Sequence, residues 1–321
     1  MPDTSLAHVL TPEGWALLNS LGPYLESESL KLNTELRKAG HSPELVAAVL
    51  TQAKLRMKAR AKFGPFAEHM LFTPAGLEQA TRLNVAALHA QRYQEAGLEK
   101  VADLGCGIGA DSLALATLDR QVTAVELDEI TAAVATINLM PWPEAKVVQG
   151  DAESFDLTGF DGVWLDPARR TTSTSGTSRI FDPEAFSPPL SFVESLADRG
   201  MPVGVKLGPG IPHESVPAGC EVQWVSVGGD VIEATLWFNE LRRPGIRRAA
   251  LVIGPNGAAE LTSHEDYVPG AQDVRTGPAE GYLYEPDGAV IRAGLVADVA
   301  RSLGGHLLDP HIAYIATPQL M

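Results

Sequence analysis

Three alternating glycines, placed between a short apolar run and a helical pattern, constrain the fold of this chain more than any other feature. Residues 101–111 read VADLGCGIGAD, with glycines at 105, 107 and 109. Glycine permits the left-handed backbone angles of a tight turn and lets a ligand come close to the main chain. The N–H groups at the start of the following helix point toward such a ligand. The segment therefore predicts a strand, a nucleotide-binding turn and a helix.

The glycines alone leave the type of nucleotide open. Gly105, Gly107 and Ala110 also match the dinucleotide pattern G-x-G-x-x-G/A, although that match by itself is weak. Asp103, just before the turn, would repel a pyrophosphate but would attract a cationic amino group. S-adenosylmethionine carries such a group and has no phosphate. A nicotinamide oxidoreductase is therefore disfavoured by Asp103.

Acidic residues close the next two predicted strands as well. Glu126 follows the glycines by about 20 residues, the position at which doubly wound folds hold ribose hydroxyls. Asp151 ends the third predicted strand, where its carboxylate can accept a hydrogen bond from an adenine amino group. The alternative is that these acids are ordinary strand-end and loop residues.

This arrangement resembles the class I S-adenosylmethionine-dependent methyltransferases over residues 70–240. The resemblance implies an α/β fold with a Rossmann-like, mostly parallel sheet that ends in an antiparallel hairpin. It also implies S-adenosylmethionine as cofactor. By this likeness the methionine part is lined by Asp103, Gly105, Gly107 and Gly109, the ribose by Glu126, and the adenine by Asp151 and Ala152.

The fourth predicted strand ends in Asp166 and Pro167, at the sheet edge where ligands of open α/β folds bind. A carboxylate there, with the carbonyl near Pro167, can accept the N–H groups of an exocyclic amine and aim its lone pair at a methyl group. The motif resembles the Asn/Asp-Pro-Pro-aromatic signature of amino-group methyltransferases, but Ala168 and Arg169 replace the last two residues. Arg169 and Arg170 can stack on a base or hold a phosphate. A plain turn with a surface arginine pair is the alternative.

A helix is predicted to begin at Thr73, which is a suitable N-cap before Pro74. The order of this helix, the glycine motif and the Asp-Pro motif is similar to that of trimethylguanosine synthases and other RNA guanine-N2 methyltransferases. That similarity implies that Phe72 and Thr73 help to close the cofactor pocket.

The formal net charge of −15 disfavours a general nucleic-acid binder, because affinity for phosphates comes from Lys and Arg. Two cationic clusters depart from this balance. One is Lys54, Arg56, Lys58, Arg60 and Lys62, and the other is Arg242, Arg243, Arg247 and Arg248. Each cluster is either a solvated face or a surface for a polyanion. The predicted substrate contacts are Lys58, Lys62, Arg169, Arg170 and Lys206.

Three parts are predicted along the chain. Residues 1–70 form an N-terminal helical region, residues 71–240 the methyltransferase domain, and residues 241–321 a small α+β module. A hairpin at residues 249–261 is expected to start that module. The module resembles the THUMP-like tail of a bacterial methyltransferase family, and THUMP domains accompany RNA-modifying enzymes.

Other site types find little support in the sequence. Cys106 and Cys220 lie far apart, and the eight histidines are scattered, so no metal site, disulfide framework or hydrolytic triad is predicted. No leader and no apolar run long enough for a membrane span is evident, and a cytoplasmic location is expected.

The favoured function is transfer of a methyl group to a base amine in structured RNA, tRNA or rRNA, with Asp166 and Pro167 orienting the amine. Two alternatives remain open: a methyltransferase for a small molecule or protein, and a non-catalytic RNA-binding protein that retains the cofactor pocket. The identity of the substrate, the atom methylated, the oligomeric state and the completeness of the C-terminal module are not determined by the sequence.

Overall fold

The structure is a computed structural model that describes residues 5–169, 182–268 and 275–320. It consists of two compact units, Met1–Gly162 and Val163–Met321. The division falls inside the predicted methyltransferase domain, and the predicted boundaries at 70/71 and 240/241 stay predictions.

The first unit contains most of the helices. Its α-helices are α1 (Ser5–Val9), α2 (Pro12–Ser20), α3 (Ser29–Lys38), α4 (Pro43–Phe63), α5 (Pro74–Gln79), α6 (Leu83–Glu95), α7 (Ala110–Thr117) and α8 (Glu129–Leu139). Short 3₁₀ helices cover Glu26–Glu28 and Gly64–His69. Helix α4 begins where Ser42 accepts a hydrogen bond from the Leu45 N–H at 3.2 Å, and it ends at Gly64, whose φ is 54°. The first end follows from the capping hydrogen bond of Ser42, and the second from a positive φ that favours glycine.

Three strands of the first unit form the predicted parallel arrangement. They are β1 (Lys100–Leu104), β2 (Gln121–Glu126) and β3 (Ala145–Gln149), with β2 between the other two. In this register Leu104 lies opposite Val125, and Glu126 lies opposite Gln149. The carboxyl ends of the strands therefore meet at one edge, where the glycine turn follows β1.

The N-terminal helices and the glycine turn share one hydrophobic core. Leu6 of α1, Val49 and Phe63 of α4, Ile108 of the turn and Leu139 of α8 belong to the same buried cluster. Residues on both sides of position 70/71 therefore stabilise each other through apolar burial.

The second unit contains the remaining strands, β4 (Gly162–Leu165), β5 (Ala168–Arg169), β6 (Phe186–Ser187), β7 (Val203–Leu207), β8 (Glu221–Val227), β9 (Asp230–Phe238), β10 (Arg248–Gly254), β11 (Gly257–Ser263), β12 (Tyr282–Tyr284), β13 (His306–Asp309) and β14 (Ile312–Thr317). Its α-helices are α9 (Leu190–Asp198), α10 (Gly288–Arg292) and α11 (Val296–Ser302). Three 3₁₀ helices cover Pro183–Ala185, His213–Ser215 and Asn239–Leu241.

The strand pairing in the second unit confirms a parallel sheet that acquires antiparallel strands. Strand β4 pairs with β7 in parallel, and β7 and β8 both pair with β9 in antiparallel fashion. The hairpin β8–β9 turns at Gly228 and Gly229 and matches the antiparallel hairpin that the resemblance implies. Trp224 and Trp237 are almost completely buried and belong to the hydrophobic core.

The hairpin β10–β11 forms where it was expected, but its pairing was not foreseen. Strand β10 runs parallel to β8, with Arg248 opposite Val222, so residues 248–263 extend the sheet that contains β8 and β9. A separate three-stranded antiparallel sheet, in the order β12–β14–β13, lies near the C-terminus.

Candidate active site

The glycine turn in the first unit has the backbone conformation that its composition predicts. Gly105, Gly107 and Gly109 have φ angles of 83°, 55° and 89°. The Gly105 N–H donates to the Val125 carbonyl at 2.9 Å, which ties the turn to β2. A Cβ added at Gly107 would meet no heavy atom within 4 Å. The turn therefore presents open space next to its backbone, as a close-binding ligand requires.

Glu126, at the end of β2, is attached to this turn. Its Oε2 accepts a hydrogen bond from the Gly107 N–H at 2.9 Å, and its Oε1 accepts one from the Asp128 N–H at 3.0 Å. Burial raises the pKa of the Glu126 carboxyl above its ordinary value of 4.5, against the opposing effect of these N–H donors. The side chain keeps some exposed surface, so it can still reach a ligand's hydroxyl groups.

Asp103, near the end of β1, was predicted to contact the cofactor's amino group. The residue has no solvent-exposed surface, and its Oδ2 accepts a hydrogen bond from the Ser112 hydroxyl. The cofactor contact of Asp103 stays a prediction. What the structure shows is a carboxylate that holds the first turn of α7 against the end of β1.

Asp151 and Ala152 lie after β3, where the resemblance places the adenine. The Asp151 side chain is exposed, and its Oδ1 accepts a hydrogen bond from the Glu153 N–H at 3.0 Å. Ala152 is half-buried beside it. Their adenine-binding role stays a prediction, and the exposed carboxylate is compatible with it.

The segment before α5 packs on the glycine turn, but not through Phe72. The Phe72 ring is fully buried in the core, with its centroid 5.6 Å from that of Phe63. Thr73 is the N-cap of α5 and accepts from the Gly76 N–H at 2.9 Å. A Cβ on Gly76 would lie 2.5 Å from Cγ2 of Ile108, so the close approach to the turn is made at Gly76.

Two buried amides that the sequence analysis missed hold this segment in place. The Asn138 side chain accepts from the Leu71 N–H at 2.7 Å and donates to the carbonyls of Leu71 at 3.0 Å and Ile108 at 2.9 Å. Gln52 accepts from the Phe72 N–H at 3.0 Å and donates to the Phe72 carbonyl at 2.7 Å. Their one sequence signal is an amide within an apolar helical face.

In the second unit, Asp166 directly follows β4 and forms an ion pair with Lys206 of β7. The parallel register, with Leu165 opposite Val205, brings the two residues side by side. Their side chains are 28% and 14% exposed. The structure shows that the Lys206 ammonium pairs with the Asp166 carboxylate, and the predicted substrate contact of Lys206 stays a prediction.

The residues after Asp166 are described only in part. Pro167 is buried, and the backbone of β5 pairs with β6 so that Arg169 lies opposite Phe186. Arg170 lies outside the described residues, and so does the Ser/Thr-rich segment that follows it. The substrate roles of Arg169 and Arg170 stay predictions.

Comparisons with known proteins identify the family. Residues 102–168 match a family model described as a methyltransferase domain, and residues 3–59 match one described as a domain of unknown function, DUF8688. Two proteins of Mycobacterium tuberculosis, from strains CDC 1551 and H37Rv, are described as uncharacterized S-adenosylmethionine-dependent methyltransferases. Each is 34% identical to this chain over 295 residues, which cover 88% of this chain and 76% of the relative.

This chain belongs to the S-adenosylmethionine-dependent methyltransferases. A crystal structure from Porphyromonas gingivalis W83, named as a methyltransferase, shares the fold with a TM-score of 0.66 and 20% identity, over 94% of this chain and 80% of that one. The methyltransferase assignment made from the glycines and strand-end acids is thereby confirmed.

The cofactor cradle of this methyltransferase fits S-adenosylmethionine. The space beside Gly107 admits a ligand against the backbone, and Glu126 is attached to the same turn. S-adenosylmethionine carries no phosphate, so its site needs no phosphate-binding cation. Glu126 can accept hydrogen bonds from ribose hydroxyls, and Asp151 can accept one from the adenine amine.

Replacing Gly107 by alanine is expected to weaken S-adenosylmethionine binding by about tenfold or more, since the methyl group occupies the open space beside the turn. Gly97→Ala is the matched control, because Gly97 has a φ of 72° and likewise nothing within 4 Å of an added Cβ. Both variants should lose about 1–2 kcal/mol of stability from left-handed strain. Titration calorimetry measures the cofactor affinity of both variants. Equal affinities would contradict a cofactor-binding role for the turn at Gly107.

Cofactor affinity is expected to fall as the pH is lowered through the pKa of Glu126, which lies above its ordinary value. The carboxylate form accepts hydrogen bonds, and protonation begins at a higher pH than for an ordinary glutamate because burial raises the pKa. Glu126→Gln should lower the affinity at neutral pH and remove this pH dependence. Glu129→Gln, at an exposed position in α8, is the control and should keep it.

Most cations of the first cluster make intramolecular contacts. The Lys62 ammonium donates to the carbonyls of Leu77, Glu78 and Ala80, at 2.9, 2.6 and 2.7 Å. It therefore caps the C-terminal end of α5, and a phosphate-binding role for Lys62 is not supported by this geometry. Lys58 is exposed and remains available for its predicted role.

The other cations of α4 follow the same trend. Lys54 pairs with Glu26 at 2.7 Å, Arg60 pairs with Glu68, and Arg56 is buried. Arg56 contacts the Met70 carbonyl, whereas the ion pairs of Lys54 and Arg60 involve residues outside 70–80.

The arginines of the second cationic cluster also make intramolecular contacts. Arg243 pairs with the buried Glu221 and with Glu260, and Arg247 pairs with Asp266 at 2.7 Å. The remaining two arginines donate to backbone carbonyls, Arg248 to those of residues 265, 293 and 294 and Arg242 to that of residue 219. These contacts explain the clustering without a polyanion.

In the part of the chain that the structure describes, no helix is both long and apolar enough to cross a membrane. No group of three or more His, Cys, Asp or Glu side chains in that part is placed to hold a metal ion.

Proposed function

We propose that this methyltransferase modifies an amine nitrogen, and that the substrate is the exocyclic amine of a base in structured RNA. The observation that carries the proposal is Asp166, at the carboxyl end of β4 and held by Lys206. A strand-end carboxylate followed by proline is the feature shared with RNA guanine-N2 methyltransferases. The proposal includes an RNA-related role for the THUMP-like residues 241–321 and a cytoplasmic location.

Asp166 would act by orientation. The lone pair of an exocyclic amine is delocalised into the base, so it attacks well only when the nitrogen is held in a productive position. Asp166 accepts one N–H, and the carbonyl near Pro167 accepts the other. The ion pair with Lys206 keeps the Asp166 carboxylate from rotating away. When bound, S-adenosylmethionine supplies the electrophilic methyl group.

Intramolecular contacts of the cationic side chains favour a second candidate substrate, which is the amine of a small molecule or a protein. Lys62, Arg243 and Arg247 make intramolecular ion pairs or hydrogen bonds, which leaves fewer charges for phosphates. This substrate needs the same carboxylate but no phosphate contacts, and its turnover would depend little on salt.

The test is transfer of labelled methyl groups from S-adenosylmethionine into RNA, DNA, protein and small-molecule fractions of cells that lack this gene. Label in RNA that is lost with Asp166→Ala, and that declines steeply with salt, is the expected result. Label confined to protein or small molecules would replace RNA by the second candidate. Cofactor binding without label in any fraction would favour a non-catalytic RNA-binding role.

A further inference from the structure

A pocket of about 270 Å³ lies within the N-terminal helical region of the first unit. It is formed by the end of α2, the loop that follows, α4 and the 3₁₀ helix Gly64–His69. Leu18, Leu21 and Met57 supply apolar walls, whereas Arg56, Arg60 and Glu68 supply charge. Nothing in the cofactor cradle or the Asp166 pair uses these residues.

Arg56 is the unusual member of this pocket, since it is a cation that is only 9% exposed. Its Nε donates to the Met70 carbonyl and its Nη1 to Oδ1 of Asn19, each at 2.9 Å. Its Nη2 is buried and has no hydrogen-bond partner among the described residues. The ring of Trp15 lies 5.4 Å from the guanidinium carbon.

The Arg56 side chain is destabilising while its Nη2 lacks an acceptor. A buried donor without an acceptor has an uncompensated desolvation cost, which is larger when the group is charged. Burial also lowers the pKa of Arg56 to about 10, because its charge is poorly compensated. The carboxylate in the pocket, Glu68, forms its ion pair with Arg60.

We propose that the pocket binds a small organic acid whose oxyanion, a carboxylate or a phosphate, accepts hydrogen bonds from Arg56. Two guanidinium groups face one carboxylate here, so the pocket is locally cationic in a chain of net charge −15. Guanidinium groups match the geometry of oxyanions. The apolar body of the ligand packs against Leu18, Leu21 and Met57. A pocket of this volume, with a mixed apolar and polar lining, is close to the lower end of the size range of small-molecule sites.

Bound ligand would also affect the cofactor side of the unit. Arg56 Nε holds the Met70 carbonyl, directly before the segment that Asn138 and Gln52 attach to the glycine turn. Occupancy should therefore stabilise residues 70–73.

The test is calorimetric titration of the full-length protein, without S-adenosylmethionine, using benzoate, its neutral isostere benzamide, and inorganic phosphate. Benzoate should bind at one site, at least about tenfold more tightly than benzamide because of its charge-assisted hydrogen bonds. Phosphate, which lacks an apolar body, should bind more weakly than benzoate. Equal binding of benzoate and benzamide would overturn the oxyanion site, and equal binding of benzoate and phosphate would overturn the role of the apolar walls.

Three variants place the binding in this pocket. Arg56→Gln should lose benzoate binding by about tenfold or more, and Arg37→Gln, which removes a cation from α3, should retain it. Because Arg56→Gln also weakens the contact with Met70, Met57→Trp serves as a second variant that fills the pocket and leaves Arg56 in place. Benzoate affinity unchanged in both pocket variants would refute the proposal, whatever the outcome of the methyl-transfer test.

Discussion

Replacing Asp166 by alanine is expected to reduce kcat by about 100-fold or more, because under the proposed function the substrate amine would lose the acceptor that orients it. The cofactor dissociation constant should stay within about twofold of the unchanged protein, since the cradle lies in the glycine turn and Glu126. Steady-state kinetics and calorimetry on the same preparation measure the two quantities.

Two further variants sharpen this prediction. Lys206→Met should lower kcat in the same direction but less, because the Asp166 carboxylate survives and only its ion pair is lost. Asp198→Ala removes an exposed carboxylate at the end of α9 and should leave kcat unchanged. If Asp166→Ala turned over substrate as fast as Asp198→Ala, the strand-end carboxylate would not take part in methyl transfer.

Asn138→Ala is expected to lower the free energy of unfolding by about 2–4 kcal/mol, a large effect for one side chain. The substitution leaves the Leu71 N–H and the carbonyls of Leu71 and Ile108 without their amide partner, in a place where Asn138 is only 2% exposed. Urea unfolding followed by circular dichroism measures the loss.

Met140→Ala is the control for this variant, because it truncates a side chain that is 67% exposed just beyond the same helix. Its stability should change by less than about 0.5 kcal/mol. We also expect Asn138→Ala to weaken cofactor binding, since Ile108 belongs to the glycine turn. Stability loss similar to that of Met140→Ala would show that the amide contacts contribute little.

Gln52 shows one role of the N-terminal helices, which is to hold the segment before α5 in place. Its side chain pairs with both backbone groups of Phe72, and Arg56 and Lys62 of the same helix hold residues 70–80. Arg56 and Lys62 of α4 help to position the segment that packs on the cofactor turn. Lys54 and Arg60 of the same helix form ion pairs elsewhere.

The local chemistry of this protein could be predicted from the sequence alone. The glycine turn, Glu126 at the end of β2, the caps at Ser42 and Thr73, and the hairpin β8–β9 each depend on a few neighbouring residues. Backbone angles, capping hydrogen bonds and strand ends are short-range properties, so a pattern in the sequence is enough to locate them.

Long-range pairing was decided only by the tertiary structure. Lys62 donates to carbonyls that are 15 to 18 residues away in the sequence. Asn138 forms hydrogen bonds with Leu71 across 67 residues, and Asp166 pairs with Lys206 across 40. The parallel pairing of β10 with β8 is of the same kind. A buried charge or amide needs a hydrogen-bond partner, and which partner lies within reach depends on how the chain packs. The sequence therefore determined the cofactor and the fold class, whereas the tertiary structure decided which polar side chains hold the protein together and which remain available for a substrate.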